Sequence, residues 1–147
     1  MSDGTALSGL GYAERLTLGL PPWRLPIDEL RWGRWIAADG GRSIVWIDWR
    51  GAQPLTAVFV DGVRHGAATV DDDRVAASDA VLLLTGRRVL HRRALSEVIG
   101  AAGPLARVFP AAWLGMEDRK WMSMGTLHGA GAPPETGWAI HEHVRFP

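Results

Sequence analysis

Apolar and polar residues alternate along short runs of this chain rather than recurring at helical spacing, and that alternation predicts strands. The clearest pair is Leu30-Arg31-Trp32-Gly33-Arg34-Trp35 and Ser43-Ile44-Val45-Trp46-Ile47-Asp48-Trp49-Arg50, both rich in β-branched and aromatic residues. Ala38-Asp39-Gly40-Gly41 between them reads as a hairpin connection. Successive strand side chains point to opposite faces. The second run therefore places Val45, Ile47 and Trp49 on one side and Ile44, Trp46, Asp48 and Arg50 on the other.

Residues 10–20 alternate in the same way, with Leu10, Tyr12, Glu14, Leu16 and Leu18 on one face and Glu14 thus on the apolar side. Pro21-Pro22-Trp23-Arg24-Leu25-Pro26 cannot donate normally to a ladder and reads as a crossing or edge segment. A strand over Leu55–Asp61 is expected to turn at Asp61-Gly62 into Val63–Val70. Asp71-Asp72-Asp73 reads as an exposed loop. Arg74–Leu84 reads as a strand ending at Thr85-Gly86, with Arg87–Arg93 returning from it. Ser96 can cap a short helix through Ala102, which Gly100, Gly103, Pro104 and Pro110 keep short. Lys120–Leu127 and Gly137–Phe146 are the last strands. The sum is about eight or nine strands and at most one short helix. An all-β antiparallel barrel is predicted over a sandwich, because closure leaves no exposed edge.

At 147 residues the chain predicts a single domain over 1–147. Its zero net charge points away from nucleic acid and from an anionic membrane surface. The absence of cysteine excludes disulfides, thiolate nucleophiles and Cys-ligated zinc. Met1-Ser2-Asp3-Gly4 lacks the regions of a signal peptide, and no apolar run approaches the roughly 18 residues of a membrane span, so a soluble cytoplasmic protein is expected. Eight tryptophans and eighteen glycines are the unusual feature. Tryptophan is rarely fully buried, so so many indoles imply a broad aromatic core or an indole-lined cavity.

Candidate chemistry follows from the faces. The last strand puts Trp138, Ile140, Glu142, Val144 and Phe146 on one side and Ala139, His141, His143 and Arg145 on the other. Glu142 is then a lone carboxylate on an apolar face, as Glu14 is on its own strand. Arg34 alternates with Trp32 and Ile36, so a closed sheet is expected to bring Glu14, Glu142 and Arg34 together inside. Two carboxylates around one guanidinium in a low-dielectric interior push one pKa upward, as a proton donor requires; the same grouping also serves as a structural ion pair. Asp48 is a separate acid candidate, with Arg31 or Arg50 as a structural partner. His141 and His143 share a face, a geometry of some strand-borne metal sites, but alternation sets them opposite Glu142 and outside, and no metal is expected. Met116, Met122 and Met124 read as core or cavity lining. Arg87-Arg88 and Arg92-Arg93 read as a solvated hairpin. The chain has no Gly-rich phosphate loop and no nucleophile-elbow serine.

With these residues in view, the chain resembles the lipocalin-like hydroxyneurosporene synthase (carotenoid 1,2-hydratase) family, at the C-terminal half of those two-barrel proteins. Gly11-Tyr12-Ala13-Glu14, Leu25-Pro26-Ile27, Leu30-Arg31-Trp32-Gly33-Arg34, Val45-Trp46-Ile47-Asp48-Trp49 and His141-Glu142-His143-Val144 carry the resemblance. It implies a lipocalin-like barrel with an apolar cavity and non-redox acid chemistry, in which an aspartate helped by aromatic residues protonates a polyene double bond and water captures the cation. Asp48 is then the acid, with Trp46 and Trp32 as aromatic neighbours whose π-faces stabilise a cation. Leu30 stands where a histidine partner is wanted, and the family's first barrel is missing.

The expectation is a barrel that takes an apolar polyene, terpenoid or polyketide-like molecule and catalyses non-redox hydration, isomerisation or cyclisation without cofactor. Asp48, Glu14 and Glu142 are the proton-transfer candidates. Tyr12, Trp32, Arg34, Trp35, Trp46, Trp49, Trp138, Met122 and Met124 are the substrate-lining candidates, and only some of the indoles can face inward. A carrier with the same cavity and fully paired carboxylates is the alternative, and a homodimer or second barrel is a possible partner.

Overall fold

The computed structural model describes residues 17, 19–21, 24–94, 96 and 115–146. Nine strands run through them: β1 (Glu29–Ala37), β2 (Ser43–Arg50), β3 (Leu55–Val60), β4 (Val63–His65), β5 (Ala68–Val70), β6 (Arg74–Ala77), β7 (Ala80–Ala94), β8 (Glu117–Gly129) and β9 (Glu135–Arg145). All pair antiparallel in one sheet, in the order β4-β3-β2-β1-β9-β8-β7-β6-β5, and the sheet curls into a nearly closed, lipocalin-like barrel. Two meanders, β1–β4 and β5–β9, are thus joined by one long ladder between β1 and β9, from Glu29↔Arg145 to Ala37↔Gly137. Side chains hold the opposite seam. Arg50 Nη2 donates to the Val70 carbonyl at 2.7 Å, and His65 Nδ1 meets Ser78 Oγ at 3.2 Å. No helix among the described residues is long and apolar enough to cross a membrane.

The core comprises Trp35, Ala37, Ile44, Trp46, Val58, Val60, Val70, Val75, Leu82, Leu84, Leu127, Ala139 and smaller neighbours. Two indoles, Trp35 and Trp46, fill the lumen, and glycines make room for them. A Cβ at Gly125 would collide with Trp35, and one at Gly33 with the Trp46 ring and with His141. Trp35 Nε1 also donates to the Gly125 carbonyl at 3.2 Å. Burying about 200 Å² of indole is worth roughly 5 kcal/mol, against about 1 kcal/mol for a glycine in a strand, so the exchange favours the barrel.

Most strand bounds match the alternation, and three details differ. Val63–Val70 is broken at Gly66-Ala67 into β4 and β5. Arg74–Leu84 is broken by a two-residue turn at Ser78-Asp79, where Ser78 takes φ 50°. Gly86, expected to end a strand, lies inside β7: at φ 61° it sits in a bulge between Thr85 and Arg88, and the strand continues to Ala94. Asp61-Gly62 is the expected hairpin turn, both residues having positive φ as a type I′ turn requires. The expected strand over residues 10–20 lies outside the described residues except at 17, 19 and 20. The expected helix from Ser96 also lies outside them, apart from Ser96 itself.

Candidate functional site

One end of the barrel interior is apolar, and the other collects charge. On β9 the inward positions are Gly137, Ala139, His141 and His143, while Trp138 is 56% exposed and Ile140 faces out with it. This reverses the expected phase of the strand. Trp35 and Trp46 already span the lumen, so the facing positions must be small, and the bulky residues of β9 turn to the surface.

His141 is therefore buried, 6% exposed. Its Nε2 shares a 2.8 Å hydrogen bond with Ser123 Oγ, whose direction follows the tautomer. The imidazole stacks on Trp121, with ring centres 5.3 Å apart and planes 28° apart, and it tilts against Trp46 at 6.3 Å. Arg87 caps the outer side, its guanidinium carbon 5.7 Å from the Trp121 ring centre. Burial, helped by the Arg87 charge and opposed by Asp72, pushes the His141 pKa down to about 4. The imidazole is thus neutral at pH 7. A cavity of about 20 Å³, lined by Trp46, Trp121, His141, Arg31, Arg87 and Asp72 among others, opens beside it. That is room for one water.

An ion-pair network floors this end. Glu29 Oε1 accepts from Arg31 Nε at 2.6 Å and lies 3.5 Å from Arg50 Nη1. His143 Nε2 comes within 3.2 Å of the same oxygen without the alignment of a hydrogen bond. Arg31 also reaches Asp72 Oδ1 at 2.8 Å, tying the acidic β5–β6 loop to the barrel mouth. Burial raises the Glu29 pKa, but the hydrogen bond and charge of Arg31, then His143 and Arg50, outweigh it and the net shift is downward. Burial lowers the His143 pKa against the pull of Glu29.

The expected acids are dispersed. Asp48 is buried and inward, but Oδ2 accepts from Arg50 Nε at 2.8 Å and Oδ1 from Thr56 Oγ1 at 2.6 Å, so both oxygens are occupied. That is the structural pairing with Arg50 that the i, i+2 spacing allowed. Glu142 corrects the expectation of an interior carboxylate: it shares the outward phase of Trp138 and Ile140 and pairs with Lys120 Nζ at 2.7 Å. Glu14 and Tyr12 lie outside the described residues. Of the lining candidates, Trp35 and Trp46 are inside. Trp32, Arg34, Trp49 and Met122 have the opposite phase and are half-buried, and Trp138 and Met124 are exposed. Arg34 consequently does not share the lumen with Trp35. Ser123, Trp121 and Arg87 were missed as site residues. The available signal was Ser123, a small polar residue between two methionines on a strand, in phase with Trp121. No three His, Asp or Glu among the described residues come together to hold a metal ion.

Comparison with protein-family models, with curated proteins and with solved structures finds no match. The class of the chain therefore rests on its fold, an antiparallel lipocalin-like barrel.

Proposed function

We propose that the protein is a barrel that binds a conjugated apolar small molecule, of polyene, terpenoid or polyketide type, at its charged end against Trp121 and Trp46. The observation that carries this reading is the buried imidazole of His141, hydrogen-bonded to Ser123 and packed against Trp121 and Trp46 next to the mouth. Flat π-surfaces beside a single hydrogen-bonding group suit an extended conjugated ligand with one polar atom. The resting cavity is smaller than such a ligand. Entry therefore requires Asp72 and Arg87, both exposed side chains, to swing away.

The described carboxylates favour binding without acid catalysis. Asp48, Glu29 and Glu142 each have a cationic partner, and none is a spare proton donor. A second reading, non-redox isomerisation or cyclisation without cofactor, draws support from His141 alone, whose ring nitrogen can take a proton at one carbon of the ligand and return it at another. An imidazole with a pKa of about 4 is a weak base, so orientation of the bound chain would supply most of the rate.

The test is native mass spectrometry of the purified protein with organic extraction, followed by quenching of tryptophan emission by polyene and polyketide probes. Saturable quenching that is lost in Trp121→Leu supports the site. An empty protein that no probe quenches refutes it. Conversion of the extracted molecule by the native chain but not by His141→Gln would select the catalytic reading.

A further inference from the structure

The zero net charge of the chain conceals a strong local imbalance. The outer arms of β7 and β8 carry Arg87, Arg88, Arg92, Arg93, Arg119 and Lys120, and the carboxylates on the same two arms are Glu117 and Asp118. Those two are engaged, Glu117 with Arg119 at 2.7 Å and Asp118 with His91 at 2.7 Å. Lys120 is taken by Glu142. Among the described residues, no carboxylate lies within ion-pair distance of Arg87, Arg88, Arg92 or Arg93. These four arginines within seven residues are all exposed.

Two apolar residues sit in the middle of this run. The irregularity between Val89 and His91 leaves Leu90 without a register partner on β8. Strict alternation would send one of the neighbours Val89 and Leu90 inward, but the irregularity leaves Val89 60% and Leu90 42% exposed. β6 pairs with β7 only as far as Leu83, so beyond that point the arm is a sheet edge among the described residues. Charges alone on an edge protect it from pairing with another chain. Exposed aliphatics do the opposite, so edge protection does not account for Val89 and Leu90.

We infer that the Arg87–Arg93 arm of β7 is a docking face for an anionic lipid bilayer surface, the arginines meeting headgroups while Val89 and Leu90 enter the interface. Aliphatic side chains ringed by cations suit that boundary. Single-stranded nucleic acid wants exposed aromatic platforms, and Trp121, the indole in register with Val89, is half-buried beneath Arg87. Arg87 also lines the mouth of the His141 cavity, so a docked barrel presents that mouth to the lipid. Delivery of an apolar ligand from the bilayer rests on the binding function proposed above. The docking itself does not.

Co-sedimentation with phosphatidylcholine vesicles, with and without phosphatidylserine, tests it. Binding is expected only to the phosphatidylserine vesicles and is expected to weaken as salt rises. Arg92→Gln/Arg93→Gln should weaken it about 30-fold and Val89→Ser/Leu90→Ser about tenfold, with unchanged tryptophan emission showing that both variants are folded. No binding at low salt, equal binding to both vesicles, or undiminished binding by the arginine variant would overturn the inference. So would a single-stranded oligonucleotide that displaces the protein from vesicles and is itself bound more tightly. Vesicle binding is read without ligand or turnover, so either proposal can fail while the other stands.

Discussion

Lowering the pH should destabilise this barrel through His141 well before its carboxylates protonate. An imidazole whose pKa falls on folding holds its proton more weakly in the native chain than in the unfolded one. Its contribution is therefore whole above the unfolded pKa of about 6.5 and is lost as pH falls toward the folded value of about 4. The loss is about 2 kcal/mol at pH 5 and about 3 kcal/mol at pH 4, a large share of the stability of a small domain. His143, also shifted down, adds in the same direction. The downward shifts of Glu29 and Glu117 act mainly below their ordinary 4.5. Urea unfolding followed by tryptophan emission at several pH values, in the native chain and in His141→Gln, isolates the one imidazole. The difference between the two chains should shrink by about 2 kcal/mol from pH 7.5 to 5. A difference that stays flat, or an NMR titration of the His141 ring centred near its ordinary 6.5, would refute the buried neutral imidazole.

Gly33→Ala places a methyl against the Trp46 ring and the His141 Cβ, which are both held by packing, and should cost about 1–3 kcal/mol by chemical denaturation. A cost under about 0.5 kcal/mol would mean that the indole has room to shift. Glu142→Gln removes one half of a partly exposed pair with Lys120 and should change stability by less than about 1 kcal/mol.

Local chemistry made much of the barrel readable. β2 coincides with the alternating run Ser43–Arg50, because β-branched and aromatic residues at period two leave few alternatives there. The Asp61-Gly62 turn follows from the two positive φ angles that this pair tolerates. The Asp48–Arg50 pair was readable because same-face neighbours on a strand can meet. The phase of β9 was not readable from its own residues. Trp138 and Ile140 look like core until the lumen is known to hold Trp35 and Trp46, and that volume limit is set by strands more than ninety residues earlier. Ser123 was invisible as a partner of His141 for the same reason, since their meeting depends on the Ser123↔Ala139 register of β8 against β9. Gly86 failed differently: the same positive φ serves a turn and a bulge, and only the continuing ladder to β8 separates them.

The way the two meanders meet has a consequence for how the chain comes together in time. Within β1–β4 and within β5–β9 every ladder joins consecutive strands, so each half can zip from its own connections, all of them short except the one from β7 to β8 over residues 95–116. The β1–β9 ladder instead joins residues from opposite ends of the described chain, and it cannot form before a very long loop has closed. Formation of the lumen, and with it of the His141 environment, is then the late and slow event. A nick at Gly66-Ala67 would cut no ladder and leave two fragments, each a complete meander. Their reassociation would reproduce that last step as a bimolecular reaction, with a rate set by concentration in place of chain length.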